Sequence, residues 1–545
     1  MVGMRQARND EPLLLTHGEL WTPGPDGATL PCRDADSVLV VDKRIAWVGM
    51  AQDAPKVGRR IDVGGRAILP GLTDAHCHLF LLALSRVGLQ TSHARSIGQL
   101  LDIVSDAAAR TPQGGWIVSY DYSDMLLAEK RHVTRKELDR VAGDRPVLLR
   151  RVGGHLAVAN SAAFAAAGVD ESVLDPASGG FDRADGRLTG VMREEAEYSV
   201  VAVAPLPETD MVHEAMLDVA NAYLSLGVTA VVEAAVGFTA GFDAEWKVWT
   251  GLREAGRFPL RVGFMPNISA TEAELRGLDP GKVDPDWQCV SLKWFADGIV
   301  GARTAFVSSS YQDGSGRGQL MMPRDELEQQ LTEAHAMGWQ VATHAIGDEA
   351  VRIVVDILTR AQERYPRADA RHRIEHLGVL NRSLLPALAG GGFVVVPQYG
   401  FLSRIGDSLF DALGEERMAD IYPAKSLIDL GIPVAGSSDC PMGPFSPFEG
   451  VAGAMARRSS AGLSISPDER IALEQAVDCY VRGGAKAMYH EKFRGALVAG
   501  MAADIAVLDR PLEGLSASEL PAVRAEMTLV DGAIRHDTGV LIPAR

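Results

Sequence analysis

The central part of the chain alternates short apolar segments, each of strand length, with longer segments of helical composition. In the clearest unit, a helix is predicted over 324–337, Gly338 ends it, and a strand follows over 339–344. Parallel strands need such crossover connections, so the alternation predicts a parallel sheet covered by helices. Strand markers occur at eight places, which are His76/His78, Val228, Arg261, Lys293, His344, His376, Phe393 and Asp439. Eight such units are typical of an α/β fold, the (β/α)8 TIM barrel.

The two ends of the chain carry a different pattern, in which short strands are separated by tight turns. Neither end is long enough to bury a good core alone, and chain termini commonly lie close together, so we expect them to form one small β-sandwich. A large insertion over about 81–225 is expected after the first barrel strand, with capping boxes at Ser96–Gln99 and Thr134–Glu137. The expected domains are 1–70 (first half of the sandwich), 71–484 (the barrel with its insertion) and 485–545 (second half of the sandwich).

The segment Leu69–Phe80 carries two histidines separated by one residue. In a strand, residues two apart point to the same side, so His76 and His78 can reach one metal ion together. Two histidines on a strand face are also common as ordinary polar surface residues. The pair by itself leaves both interpretations open.

Further polar residues stand at the ends of later predicted strands, namely Lys293, His344, His376 and Asp439. Because the active site of a barrel lies at the carboxyl ends of its strands, we expect these residues to surround the histidine pair. Imidazoles and a carboxylate suit zinc or a similar divalent ion. Lys293 can bind a metal only as a carbamate, which can bridge two ions; the alternative is an ion pair with a neighbouring acid. His344 and His376 have the alternative of being hydrogen-bonded core histidines.

The segment Leu69–His78, with histidines at predicted strands five and six and an aspartate at strand eight, resembles the metal-dependent amidohydrolase superfamily. Three further segments resemble the group that includes N-substituted formamide deformylases: Gly154–Ser161, Lys293–Gly298 and Arg373–His376. The resemblance implies a hydrolase with one or two divalent ions, zinc foremost, that cleaves the C–N bond of a carboxamide or an N-substituted formamide. One alternative keeps the barrel and changes the substrate to an ester, lactone, cyclic imide or carbamate. Another is a non-catalytic regulatory member that binds a small ligand.

In that interpretation one ion is held by His76, His78, Lys293 and Asp439, and the other by Lys293, His344 and His376. Asp439 would take a proton from the attacking water and pass it to the leaving group.

Four other residues are candidates for contacts with substrate. His155 follows an apolar strand and can stabilise an oxyanion, or it can hydrogen-bond within the insertion. Glu194 can reach the metal site or lie on a solvated helix face. Arg303 and Tyr311 belong to the glycine-rich loop 297–319, which can cover the site as a lid or simply be mobile.

The charge balance, with 54 basic and 71 acidic residues and a net charge of −17, argues against nucleic acid or an anionic membrane as a partner. The five cysteines are widely spaced, so we expect no disulfides and a reducing compartment. The first residues are polar and resemble no signal peptide, and no apolar run is long enough to span a membrane. We therefore expect a cytoplasmic protein that acts on a small-molecule substrate, and we expect it to form a homodimer.

Overall fold

The computed structural model describes residues 11–24, 29–154, 156–176, 179–282 and 284–541. The chain divides into two compact units. The first comprises 1–77, 220–235 and 259–545, and the second comprises 78–219 and 236–258.

The strands, in chain order, are β1 Leu13–Thr16, β2 Glu19–Pro23, β3 Thr29–Pro31, β4 Ser37–Val41, β5 Arg44–Gly49, β6 Arg59–Asp62, β7 Ala67–Pro70, β8 Leu72–Cys77, β9 Ile117–Tyr122, β10 Val147–Arg151, β11 Leu156–Ala159, β12 Gly179–Ala184, β13 Arg187–Glu194, β14 Val228–Val236, β15 Arg261–Pro266, β16 Trp287–Cys289, β17 Leu292–Phe295, β18 Val341–Ala345, β19 Arg373–His376, β20 Val394–Val396, β21 Ile505–Leu508, β22 Ala525–Val530 and β23 Ala533–Asp537. The α-helices are α1 Leu79–Val87, α2 Ile97–Arg110, α3 Arg135–Ala142, α4 Ser161–Ala166, α5 Glu195–Val201, α6 Thr209–Leu224, α7 Phe242–Glu254, α8 Ala270–Leu275, α9 Arg324–Ala336, α10 Asp348–Arg364, α11 Leu385–Gly390, α12 Phe401–Leu413, α13 Lys425–Asp429, α14 Pro447–Ala456, α15 Leu473–Asp478 and α16 Gly484–Ala487.

Two sheets of the first unit contain the predicted central strands, with the strand orders β16-β15-β14-β8 and β17-β18-β19-β20. The pairs β8–β14, β15–β16, β17–β18, β18–β19 and β19–β20 are all parallel. Helices separate most successive strands, although β17 follows β16 without one. The inner strand β14 is buried at every position, which is typical of a sheet covered on both faces. The predicted alternation is confirmed, including the end of α9 at Gly338, whose φ of 93° suits the residue after a helix.

The predicted eighth strand, 432–439, is not a regular strand. The structure has only one isolated parallel bridge there, between Val434 and Val395. Pro433 has no N–H to give to a ladder, and Asp439 has a φ of 53°, which takes the chain out of the extended conformation. The segment still makes backbone hydrogen bonds to β20 on one side and to β8 on the other.

Strands from the two ends of the chain share one sheet, in the order β23-β22-β21-β7-β2-β3. The junction is the antiparallel pair β7–β21, in which Pro70 faces Ile505. A second sheet has the order β5-β4-β1-β6. Side chains of both sheets belong to one hydrophobic cluster, with Leu15 and Val38 on one sheet and Val507 on the other. The ends of the chain therefore bury each other's apolar surface, which neither could do alone.

The second unit is built around a five-stranded sheet in the order β12-β13-β11-β10-β9. The predicted capping box at Thr134–Glu137 is confirmed at the start of α3. At the start of α2, the Ser96 side chain accepts from the Gln99 N–H, but the Gln99 side chain accepts from Arg95 instead of closing the box. The predicted insertion, about 81–225, overlaps most of this unit, and its boundaries stay a prediction.

Within the described ranges, no helix combines the length and the apolar character needed to cross a membrane. All five cysteines are free thiols.

Candidate metal centre

The histidine pair stands where β8 gives way to α1. His76 lies in the strand and is only 1% exposed, and His78 is the residue directly before the helix. The backbone N–H of Asp439 donates to the His76 carbonyl at 2.8 Å. One ligand atom from each of His76, His78 and Asp439 lies within 4.8 Å of the others. The structure thus brings three of the predicted ligands together at a spacing that suits one divalent ion.

His76 is oriented by a buried carboxylate that the sequence analysis did not single out. Its Nδ1 donates to Oε2 of Glu375 at 2.5 Å, and Glu375 also accepts from Nε of Arg373 at 2.6 Å. Because Glu375 is an acceptor, the proton of the neutral imidazole lies on Nδ1. The lone pair of Nε2 then faces Asp439, whose Oδ1 lies 3.4 Å away. Such a carboxylate fixes the tautomer of a metal-binding histidine and raises its basicity.

His344 and His376 lie side by side, with ring centroids 4.5 Å apart, and His376 lies 5.1 Å from the ring of His76. Nδ1 of His376 donates to Oε1 of Gln398 at 2.7 Å, and Nε2 of His344 donates to the Gly298 carbonyl at 3.0 Å. Burial holds the pKa of His376 well below its usual value. Each ring is therefore oriented through the nitrogen that makes this hydrogen bond.

Lys293 is 1% exposed, and its Nζ has no hydrogen-bond partner among the described residues. The ring of Phe295 lies 4.9 Å from Nζ. Burial lowers the pKa of Lys293 to about 8, although Glu375 and Asp439 oppose the shift. An unpartnered amine in the interior is unfavourable, so this position fits a lysine whose amine is modified or engaged by another group.

Asp74 supports the loop that carries Asp439. It accepts from the Ser438 N–H at 2.9 Å and from the Tyr223 hydroxyl at 2.8 Å. Burial raises the pKa of Asp74 to about 6, against the effect of these hydrogen bonds. Asp74 thus links β8 to the residue beside Asp439.

Asp297 plays a similar part beside His344. It is fully buried and accepts hydrogen bonds from the backbone of Phe306, Ile346 and Gly347. Burial raises its pKa to about 7. Glu375, Asp74 and Asp297 all lie inside segments used for the resemblance or next to its histidines, but no role was assigned to them. The signal that could have drawn attention to them is an acid close in sequence to a predicted ligand: Asp74 near His76, Asp297 near Lys293 and Glu375 next to His376.

Four other residues were predicted to contact the substrate, and those of them that the structure describes are not among the grouped metal ligands. His155 lies outside the described residues. Glu194 ends β13 directly before α5 with a φ of 49° and is partly exposed. Arg303 donates to Asp313 at 2.8 Å, and the Tyr311 hydroxyl donates to a backbone carbonyl of the same loop. The contacts of these side chains with a substrate stay a prediction.

Comparison with known proteins gives relatives that match nearly the whole chain. Amidohydrolase YtcJ of Bacillus subtilis is 28% identical over 485 residues, which are 88% of this chain and 90% of YtcJ. N-substituted formamide deformylase of Arthrobacter pascens is 27% identical over 526 residues, which are 92% of this chain and 95% of that enzyme.

The crystal structure of an uncharacterized metal-dependent hydrolase from Pyrococcus furiosus is similar with a TM-score of 0.72 at 25% identity, covering 92% of this chain and 99% of that one. The fold is therefore a TIM-barrel-like α/β fold. The sequence model of the amidohydrolase family matches residues 59–536, which is most of the chain. The chain therefore belongs to the amidohydrolase family and is a hydrolytic enzyme that acts on carbon–nitrogen bonds.

Proposed function

We propose that the enzyme is metal-dependent and cleaves the C–N bond of a carboxamide or an N-substituted formamide. The observation that carries the proposal is the donor set: oriented imidazoles and Asp439 beside the buried, unpartnered Nζ of Lys293. Similarity to a deformylase over nearly the full length supports the substrate class.

The donor set fits one or two divalent ions, and imidazole with carboxylate suits zinc. We assign His76, His78, Lys293 and Asp439 to one ion, and Lys293, His344 and His376 to the other, with Lys293 carboxylated. The bound ions would supply two things, an activated water nucleophile at neutral pH and polarisation of the substrate carbonyl.

The chain's own residues would then orient the substrate and transfer protons. Asp439, fixed against His76 through its backbone, is placed to accept a proton from the attacking water. It would return that proton to the leaving nitrogen, so that the amine departs neutral. His155 is proposed to stabilise the developing oxyanion. Arg303, Tyr311 and Glu194 are proposed to contact or cover the substrate.

The proposal includes a closed (β/α)8 barrel in which the segment 432–439 occupies the eighth position. Its backbone hydrogen bonds to β20 and β8 support this arrangement. The terminal strands would form a β-sandwich over 1–70 and 485–545, with 71–484 as the barrel and 81–225 as the insertion. A homodimer and a cytoplasmic location complete the proposal, and light scattering of the purified protein tests the first of these.

The experiment is a substrate panel on protein reconstituted with zinc, with metal content measured by mass spectrometry. N-alkyl and N-aryl formamides and simple carboxamides are compared with matched esters, lactones, cyclic imides and carbamates. We expect kcat/KM to be highest for a formamide or carboxamide, and His76→Ala to abolish turnover. A higher kcat/KM for an ester or carbamate would overturn the substrate class. A protein that holds no metal and hydrolyses nothing would favour the regulatory, ligand-binding alternative.

A further inference from the structure

Asp297 is a buried acid that connects two loops at the carboxyl end of the parallel strands. Its Oδ1 accepts from the Ile346 N–H at 3.0 Å, and its Oδ2 accepts from the N–H groups of Gly347 and Phe306, each at 2.8 Å. Ile346 and Gly347 lie just after β18, whereas Phe306 lies in the loop that follows Asp297 itself. One carboxylate therefore ties both loops to the end of β17.

The carboxylate of Asp297 and its hydrogen bonds lie directly beside His344. The Gly298 carbonyl, one residue after Asp297, accepts from Nε2 of His344 at 3.0 Å. Oδ1 of Asp297 lies 3.7 Å from the same nitrogen. With an acceptor facing Nε2, the neutral imidazole keeps its proton there and Nδ1 carries the lone pair, which is the state that binds a metal.

The two loops are in close contact with each other, and the loop after Asp297 is itself tightly packed. A Cβ added at Gly347 would overlap the Phe306 carbonyl, and one added at Gly298 would overlap the Thr304 side chain. The three hydrogen bonds to Asp297 contribute to this contact, beside the N–H groups of Glu349 and Ala350, which donate to the Phe306 carbonyl. Gly298 directly follows Asp297, so the position of its carbonyl depends on this arrangement.

Glu245, in the second unit, offers a matched comparison. It is also buried and accepts from three backbone N–H groups, those of Gly237, Thr239 and Ala240. Burial raises its pKa to about 7, as it does for Asp297. Its described hydrogen-bond partners include none of the predicted metal ligands. Asp297 and Glu245 are therefore both buried acids that accept from three backbone N–H groups. They differ because only Asp297 lies beside a predicted metal ligand, His344.

We propose that Asp297 is a positioning residue that holds the Gly298 carbonyl against His344 and so fixes this histidine for metal binding. The inference rests on the proposed function, because it assumes that His344 is a metal ligand. Asp297 touches neither substrate nor metal in this role and acts only through His344.

The test is a double-mutant cycle read out as zinc affinity of the metal-free protein, measured with a competing chelator. Asp297→Asn keeps the size of the side chain but turns an amide NH2 towards a backbone N–H. We expect it to weaken zinc binding about 10–100-fold, the usual range for loss of a residue that orients a metal ligand. In a His344→Ala background the same substitution should change the affinity less than about twofold, since the residue it acts through is gone. Glu245→Gln, the matched control, should leave zinc affinity unchanged in either background.

Asp297→Ser is a second variant, in which a hydroxyl still accepts one backbone N–H without opposing the others. An intermediate loss of zinc affinity in Asp297→Ser supports the proposal if Asp297→Asn does not fold. Wild-type affinity in a folded Asp297 variant overturns it, and so does an equal loss in both backgrounds, which would indicate a general structural role. If the wild type binds zinc and His344→Ala weakens that binding, either of these two results overturns only the role of Asp297 and leaves the proposed function intact. If the wild type binds no zinc, both proposals fail together.

Discussion

Buried histidines lie at both ends of the parallel strands, but their surroundings differ. At the amino end, the Val341 N–H donates to Nδ1 of His372 at 3.0 Å. Nε2 of His372 then donates to Nδ1 of His335, and Nε2 of His335 donates to the Tyr365 carbonyl, each at 2.8 Å. Every ring nitrogen in this pair has a protein partner.

At the carboxyl end, His344 donates to the Gly298 carbonyl and His376 to Gln398, and the Nζ of Lys293 has no hydrogen-bond partner in the described part of the chain. Buried histidines are therefore common to the two ends, and what separates the ends is the group near the rings: only the carboxyl end combines them with Asp439 and with the buried amine of Lys293. A closed polar network stabilises a fold, whereas a buried amine without a hydrogen bond indicates a modification or a ligand.

Asp439→Asn should have the largest effect at the carboxyl end of the strands. The amide cannot take up a proton, so we expect kcat to fall by about 10²–10⁴, the usual contribution of general acid–base catalysis. The melting temperature should change little, because the backbone contact of Asp439 with His76 is retained. Kinetics on the best formamide substrate, together with calorimetry, measure both. Full activity in this variant would remove Asp439 from the mechanism.

Lys293→Met should separate function from stability. Without the amine we expect an activity loss of about 100-fold, while the metal-free protein becomes no less stable and gains up to about 1–3 kcal/mol, since an unsatisfied buried donor is removed. Urea unfolding of the metal-free protein measures the stability. In the wild type, labelling with ¹³C-bicarbonate should give a carbamate signal that Lys293→Met lacks. A large loss of stability in Lys293→Met would show that the amine has a structural partner after all.

Glu375→Gln should weaken zinc binding about 10–100-fold, because His76 loses the carboxylate that orients it. It also leaves the buried Arg373 without its charge partner, so the free energy of unfolding should fall by about 3–5 kcal/mol. Chelator competition and urea unfolding separate the two effects. Unchanged zinc affinity would mean that His76 needs no carboxylate to be held in place.

His372→Gln tests the amino end, where we expect the smallest effect on the site. Burial keeps the pKa values of His372 and His335 below the usual value, and Arg367 nearby acts in the same direction. The unfolded chain therefore binds protons more strongly. Stability from the neutral pair is fully present above about pH 6.5 and is lost as the pH falls, by up to about 1.4 kcal/mol per pH unit for each histidine.

Glutamine can still accept from Val341 and donate to His335 but cannot titrate. The slope of unfolding free energy between pH 7 and 5 should therefore decrease in His372→Gln, with zinc affinity and turnover unchanged. Urea unfolding at several pH values measures the slope. A fall in zinc affinity would break the distinction between the two ends.

Several features of the molecule could be predicted from the sequence because they depend on local order along the chain. The alternation of strands and helices follows from the spacing of apolar residues, and the capping box at Thr134–Glu137 from two residues three apart. The strands at both ends follow from their turn residues. His76, His78 and Asp439, which the structure brings together, could be chosen because polar side chains at the ends of buried strands are unusual.

Other features were decided only by the tertiary structure. Glu375 precedes His376, and simple strand alternation places the two on opposite faces, yet Glu375 supports His76, which is 299 residues away along the chain. The φ of 74° at His376 breaks that alternation. The segment 432–439 was predicted as a strand because its apolar composition does not reveal the backbone turn at Asp439. Local pattern determines the side of a strand on which a residue lies, but its partner on that side depends on strand register and loop packing, which bring together groups from distant parts of the chain.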